Sequence, residues 1–139
     1  MGCSDIGTLD LAPVRALAKA NHRDWTDAVL DDAVRRYRDF LSVCCYGVGH
    51  GSNHLAAVDA LADEMWHCHM LLPVKYQSDC HTVFGSGRVL DHYPAGVNGQ
   101  APVTPIDQRA ALHLYDEAGV RRPGEVRAEC VWAIVDLTP

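Results

Sequence analysis

Four side chains that bind transition metals readily, His67, His69, Cys80 and His92, fall within 26 residues of this 139-residue chain. The run Trp66-His67-Cys68-His69-Met70 opens the stretch, and Tyr76, Asp79-Cys80, Phe84-Gly85 and Asp91-His92-Tyr93-Pro94 follow it. Neutral imidazole and thiolate are the ligands that zinc, copper and iron take most readily. For any one of these residues alone, a packed core histidine or an inert buried cysteine is the simpler account. The clustering weighs against that account, because burying several imidazoles unpaired costs a few kcal/mol each. The most economical site takes His69 and Cys80 from facing helices and His92 from a loop. His67 is then the fourth ligand or an outer support, and Asp63 and Asp79 are partners that fix a histidine tautomer. Mixed histidine and cysteine ligation favours copper or iron and also admits zinc.

The elements that carry these residues constrain them further. On a helix each residue turns by about 100°, so His67 and His69 point about 200° apart. Two such side chains cannot reach one ion from a straight helix. Either the helix yields near Trp66, or only one of the pair is a ligand. Asp59, Asp63 and His67 share a flank, so Asp63 can orient or charge His67 from one turn away.

A chain of this length is one domain and can bury a core without staples. Twelve Lys and Arg against 18 Asp and Glu give a net charge of −6, with no basic run, which argues against a nucleic-acid partner. No basic segment followed by an apolar core opens the sequence, and no window reaches the roughly 18 apolar residues of a membrane span. These features predict a cytoplasmic protein with no membrane partner. Six cysteines in such a chain read as thiols or ligands rather than as a disulfide framework, with Cys44, Cys45 and Cys130 as small buried apolar residues.

Apolar periodicity predicts a first helix over 8–22, with Pro13 in its first turn, and a second from Asp24 or Thr26 to about Tyr46. Residues 47–53 read as a glycine-rich loop, with Ser52 or Asn53 capping a third helix over 54–72. Pro73 opens a fourth helix over 73–84 that Gly85 closes. Arg88-Val89-Leu90 is a short extended piece delivering Asp91-His92, and 94–105, with Gly96, Asn98 and Gly99, is loop. A fifth helix runs from Thr104 or Pro105 to Gly119. Residues 125–137 fit a helix, although Cys130–Val135 also fits a strand; the helical neighbours favour the helix. The resulting expectation is an all-α fold: one domain over 1–139, a compact bundle of about five to six helices with a long loop near 85–104, and a metal site within 63–94.

These residues resemble the glycine-rich domain-containing protein-like family. Its pattern runs from an aspartate-containing helix into W-H-x-H-x-L, then Y-x-x-D-C, F-G and a histidine followed shortly by proline. Here those positions are Trp66, His67, His69 and Leu71, then Tyr76, Asp79-Cys80, Phe84-Gly85 and His92-Tyr93-Pro94. Tyr37-Arg38-Asp39-Phe40-Leu41 is similar to the helix preceding the motif in bacterial members, so the likeness covers about residues 30 to 95. The resemblance implies a histidine and cysteine site without specifying a reaction. Bacterial members usually pair histidines where this chain has Asp91-His92; an aspartate ligand there would move the preference towards harder ions.

The functional expectation is a small metal-dependent enzyme of bacterial biosynthesis, an oxidoreductase carrying out oxidative tailoring of a small molecule at a copper or iron centre. Cys80, Tyr76 and Asp79 would take part in the chemistry, with Trp66, Met70 and Tyr93 lining an aromatic pocket. Two other readings use the same residues. One is a helical metal carrier or interaction domain in which Met65, Met70 and the surplus cysteines handle copper. The other makes Cys80 a nucleophile, with His67 or His69 as base and Asp79 orienting it.

Overall fold

The computed structural model describes residues 2–94 and 102–137. A short 3-10 helix, Cys3–Thr8, leads into α1 (Ala12–Asn21), whose second residue is Pro13, as a missing N–H at a helix start allows. Thr26 accepts the Val29 N–H and so starts α2 (Asp27–Gly49), the longest element. Its three-to-four spacing buries Leu30, Ala33, Tyr37, Phe40, Leu41 and Cys44, and the other elements pack around that stripe. Gly47 lets α2 pass close to the core: an added Cβ would meet Leu114 Cδ2 at 2.8 Å and the Trp132 ring at 3.3 Å, so both side chains would have to shift.

One expectation about the cysteines is corrected here. Cys3 and Cys45 form a disulfide, Cα to Cα 5.9 Å, that ties the 3-10 helix to α2. The pair lies 42 residues apart, and nothing local in the sequence marks it. Cys44, Cys68, Cys80 and Cys130 are free thiols, all buried.

The all-α expectation is overturned by a three-stranded antiparallel sheet: β1 (Leu55–Ala56), β2 (Arg88–Pro94) and β3 (Cys130–Asp136), in the order β1-β3-β2. The segment favoured as a final helix is therefore the central strand. Val131, Trp132, Ile134 and Val135 are β-branched or aromatic residues suited to a pleated surface. Burial of Cys130, Trp132, Ala133 and Ile134 on both faces removed the alternation that would have announced a strand. The loop expected near 85–104 is β2 over 88–94, while 95–101 lie outside the described residues.

The sheet also shortens the third helix. After a bend at His54, residues 55–59 are extended, with β1 paired to Trp132 and Val131, and Val58 accepting the Arg127 N–H. Only then does α3 (Ala60–Met70) begin. Its N-cap is Asp59, which accepts the N–H groups of Leu61 and Ala62, and not Ser52 or Asn53. α4 (Pro73–Phe84), ended by Gly85 at φ 111°, and α5 (Pro105–Ala118), opened by a Thr104–Asp107 capping box, fall where periodicity placed them.

Candidate metal centre

Helix α3 runs unbroken past Trp66 to Met70, so its two histidines do face different ways. The side chain of His67 is 42% exposed and looks towards the sheet, whereas that of His69 is 2% exposed and turned into the helical core. The register of β2 on β3 sets His92 opposite Trp132 and Pro94 opposite Cys130, which puts His92 and Cys130 on the same face of the sheet. Trp66, fully buried, packs edge-on against the His92 ring at 4.7 Å and so braces β2 against α3.

Three ligating atoms meet at this seam. His67 Nε2 lies 2.9 Å from His92 Nε2, and Asp63 Oδ1 lies 3.7 Å from the first and 3.5 Å from the second. Two imidazole lone pairs at that separation repel unless a proton or a cation lies between them. A circle through the three atoms at these separations has a radius of about 2.0 Å, the bond length of zinc or iron to imidazole nitrogen and carboxylate oxygen. Asp63, His67 and His92 thus form a group that could hold a metal ion, and they are the group of this kind among the described residues. They line one side of an open cleft of about 530 Å³ whose other walls include Pro94, Pro102, Val103, Ala128 and Glu129. That volume is in the range of small-molecule sites. A second cleft, of about 410 Å³, shares Asp63 and Glu129 with it.

His69 and Cys80 lie in a separate buried cluster behind α3. His69 Nε2 is 2.8 Å from Asp79 Oδ2, and His69 Nδ1 is 2.7 Å from the Tyr37 hydroxyl. A carboxylate can only accept, so the network assigns the proton to Nε2 and leaves Nδ1 to accept from Tyr37. Both nitrogens are engaged. Burial lowers the pKa of His69 from its ordinary value, against the opposing pull of Asp79. Asp79 is also held by Lys75 at 3.1 Å.

Tyr76 bridges the two halves: its hydroxyl accepts the Trp66 indole N–H at 2.7 Å and donates to the Leu90 carbonyl of β2. Desolvation pushes the Cys80 thiol up to about 11, so at neutral pH without a metal it stays protonated and is not an activated nucleophile. The cavity bordered by Tyr37, His69, Tyr76, Asp79 and Cys80 has only about 10 Å³, room for one water at most.

Of the four ligands expected from sequence, the structure brings together His67 and His92 and places His69 and Cys80 elsewhere. Tyr76 and Asp79, expected near the chemistry, serve as a hydrogen-bonding bridge and as the partner of His69. The third member of the group is Asp63, one turn before His67; helical spacing places it on that flank and by itself implies only an orienting role. Cys130 also reaches the group, with Sγ 3.3 Å from Asp63 Oδ1, and no local signal pointed to it. Burial, and then the charge of Asp63, raise its thiol pKa. No protein-family model, curated protein or solved structure matches the chain. Among the described residues no helix is long and apolar enough to cross a membrane.

Proposed function

We propose that this protein is a small metal-dependent enzyme that oxidises a small molecule at an ion held by Asp63, His67 and His92. The observation that carries the reading is the convergence of two imidazole nitrogens and one carboxylate oxygen, at 2.9, 3.5 and 3.7 Å, beside a cleft. Three protein ligands leave coordination positions open, which is the arrangement of a catalytic and not a structural ion. Two histidines and one carboxylate form the ligand set through which ferrous ion works with dioxygen. A carboxylate instead of a thiolate in the set favours iron over copper, and zinc fits the same set.

Asp63, His67 and His92 would hold the ferrous ion, which would supply redox chemistry with dioxygen as the oxidant and the substrate as the electron donor. The chain's own residues do the rest. Asp63 neutralises part of the ion's charge, and His67 and His92 bind it as neutral donors. Pro94, Pro102, Val103 and Ala128 offer an apolar wall against which a small molecule can pack. Among the described residues no Lys or Arg lines this cleft, and the protein carries a charge of −6, so the substrate is neutral or cationic and not a phosphorylated compound. The reading keeps the likeness to the glycine-rich domain-containing protein-like family, with the two histidines of W-H-x-H doing different work. The charge of −6 also argues against a nucleic-acid partner.

The test is metal analysis after anaerobic reconstitution with Fe(II), followed by nitric oxide as a probe of open coordination. About one iron per chain is expected, with the electron paramagnetic resonance signal of a ferrous nitrosyl. His67→Ala, His92→Ala and Asp63→Ala should hold much less iron. Failure of the wild-type protein to bind any metal removes the proposal. Binding of metal without nitric oxide indicates a closed carrier site instead, and a firm preference for zinc over iron points to hydrolysis.

A further inference from the structure

We propose that Cys130 is a positioning residue of this metal centre, its thiol donating to Asp63 Oδ1 and aiming that oxygen at the ion. The inference rests on the reading of Asp63, His67 and His92 as metal ligands. Cys130 begins β3, opposite Pro94 and one same-face step from the Trp132–His92 pair, and it is 1% exposed. Its Sγ stands 3.3 Å from the same Asp63 oxygen that faces both imidazoles. Among the described residues no Lys or Arg is paired with Asp63; its side-chain partners are His67, His92 and Cys130. Cys130 is therefore the one partner that could hold the carboxylate without itself being in the ligand group.

A freely rotating aspartate would present either oxygen, or neither, to the ion. Outer hydrogen bonds of this kind fix ligand orientation, and losing one costs about 10–100-fold in metal affinity. Serine can replace the donor, though its shorter C–O bond reaches less far; alanine cannot. Sγ of Cys130 also lies outside the group of atoms that are all within 4.8 Å of one another, which separates it from the ligands themselves.

Two measurements on the full chain test this. In the metal-free protein, the infrared S–H band lost in Cys130→Ser should be one lowered by hydrogen bonding, and Asp63→Asn should shift it back towards a free thiol. In Co(II) titrations the wild-type protein should bind without a thiolate-to-cobalt charge-transfer band. Cys130→Ala should bind about 10–100-fold more weakly, and Cys130→Ser should recover most of the loss. A charge-transfer band that disappears in Cys130→Ser makes Cys130 a ligand and overturns the proposal. So does a Cys130→Ala variant that binds as tightly as wild type, an outcome that leaves the metal site standing. A wild-type protein that binds no Co(II) removes the metal reading and this proposal together, whatever the infrared band shows.

Discussion

The two histidines of Trp66-His67-Cys68-His69 should separate cleanly under mutation, because one faces the sheet and one the helical core. His69→Ala removes the acceptor of a fully buried Tyr37 hydroxyl and the donor to Asp79. Each buried group left unpartnered costs about 1–3 kcal/mol, and the lost ring leaves a cavity besides; Asp79 keeps Lys75, which moderates its share. The sum is about 3–5 kcal/mol, or a fall in Tm of about 10–20 °C for a domain of this size. His67→Ala deletes a side chain that is 42% exposed and should cost under about 1 kcal/mol in the metal-free protein.

Metal affinity should show the reverse order. Four-ligand zinc sites are worth about 10–16 kcal/mol, so one ligand of His67's kind contributes about 3 kcal/mol, close to two orders of magnitude in Kd. His69→Ala, where it stays folded at low temperature, should hold Co(II) within a fewfold of wild type. The assay is thermal unfolding of the metal-free proteins beside Co(II) titration of each. A His67→Ala protein that loses stability but not affinity, or a His69→Ala protein that folds normally and loses the ion, refutes the division of labour.

Burial lowers the pKa of His69 below the ordinary 6.5, so the unfolded chain takes up a proton more readily than the folded one. The corresponding stability is present above about pH 6.5 and is lost as pH falls, by at most about 1.4 kcal/mol per pH unit; urea unfolding from pH 7.5 down to 5 should show a slope that His69→Gln flattens. Reducing the Cys3–Cys45 disulfide, or replacing Cys3 with Ser, opens a loop spanning 42 residues and should cost up to about 4 kcal/mol, read as a lower Tm; an unchanged Tm means the tie contributes nothing. Tyr76→Phe removes the donor to the Leu90 carbonyl and the acceptor of the Trp66 indole, so stability should drop by about 2–4 kcal/mol with a change in tryptophan emission; a loss under about 0.5 kcal/mol rules out the bridge.

What the sequence made legible was local. Periodicity and caps placed α2, α4 and α5 closely, because Thr26, Pro73, Gly85 and Thr104 act on groups within four residues of themselves. The opposition of His67 and His69, and the nearness of Asp63 to His67, follow from helical geometry alone. Two strands were legible as fragments, Arg88–Leu90 as an extended piece and Cys130–Val135 as an alternative to a helix, but their pairing was not, for β3 is buried on both faces and draws its partners from residues 55–56 and 88–94. With it went the true start of α3, since 55–59 are committed to pairing with the segment around β3. The roles of His92 and Cys130 were obscured for the same reason: their neighbourhood is set by a register between segments about 40 residues apart.

That register explains why the candidate site lies where it does. Asp63 and His67 come from one face of α3, but an ion needs a third donor from another direction, and the inner face of β2 supplies it. The helix cannot drift from the strand, because Trp66 packs on His92 and hydrogen-bonds Tyr76, whose hydroxyl in turn holds Leu90. Nor can it roll about its own axis, because His69 is clamped from behind by Tyr37 of α2 and Asp79 of α4. A rotation large enough to swing His67 away from His92 would break both of those bonds to the buried His69. The buried histidine therefore adds stability to α3 in this orientation, while the Trp66 and Tyr76 contacts with β2 keep His67 facing His92.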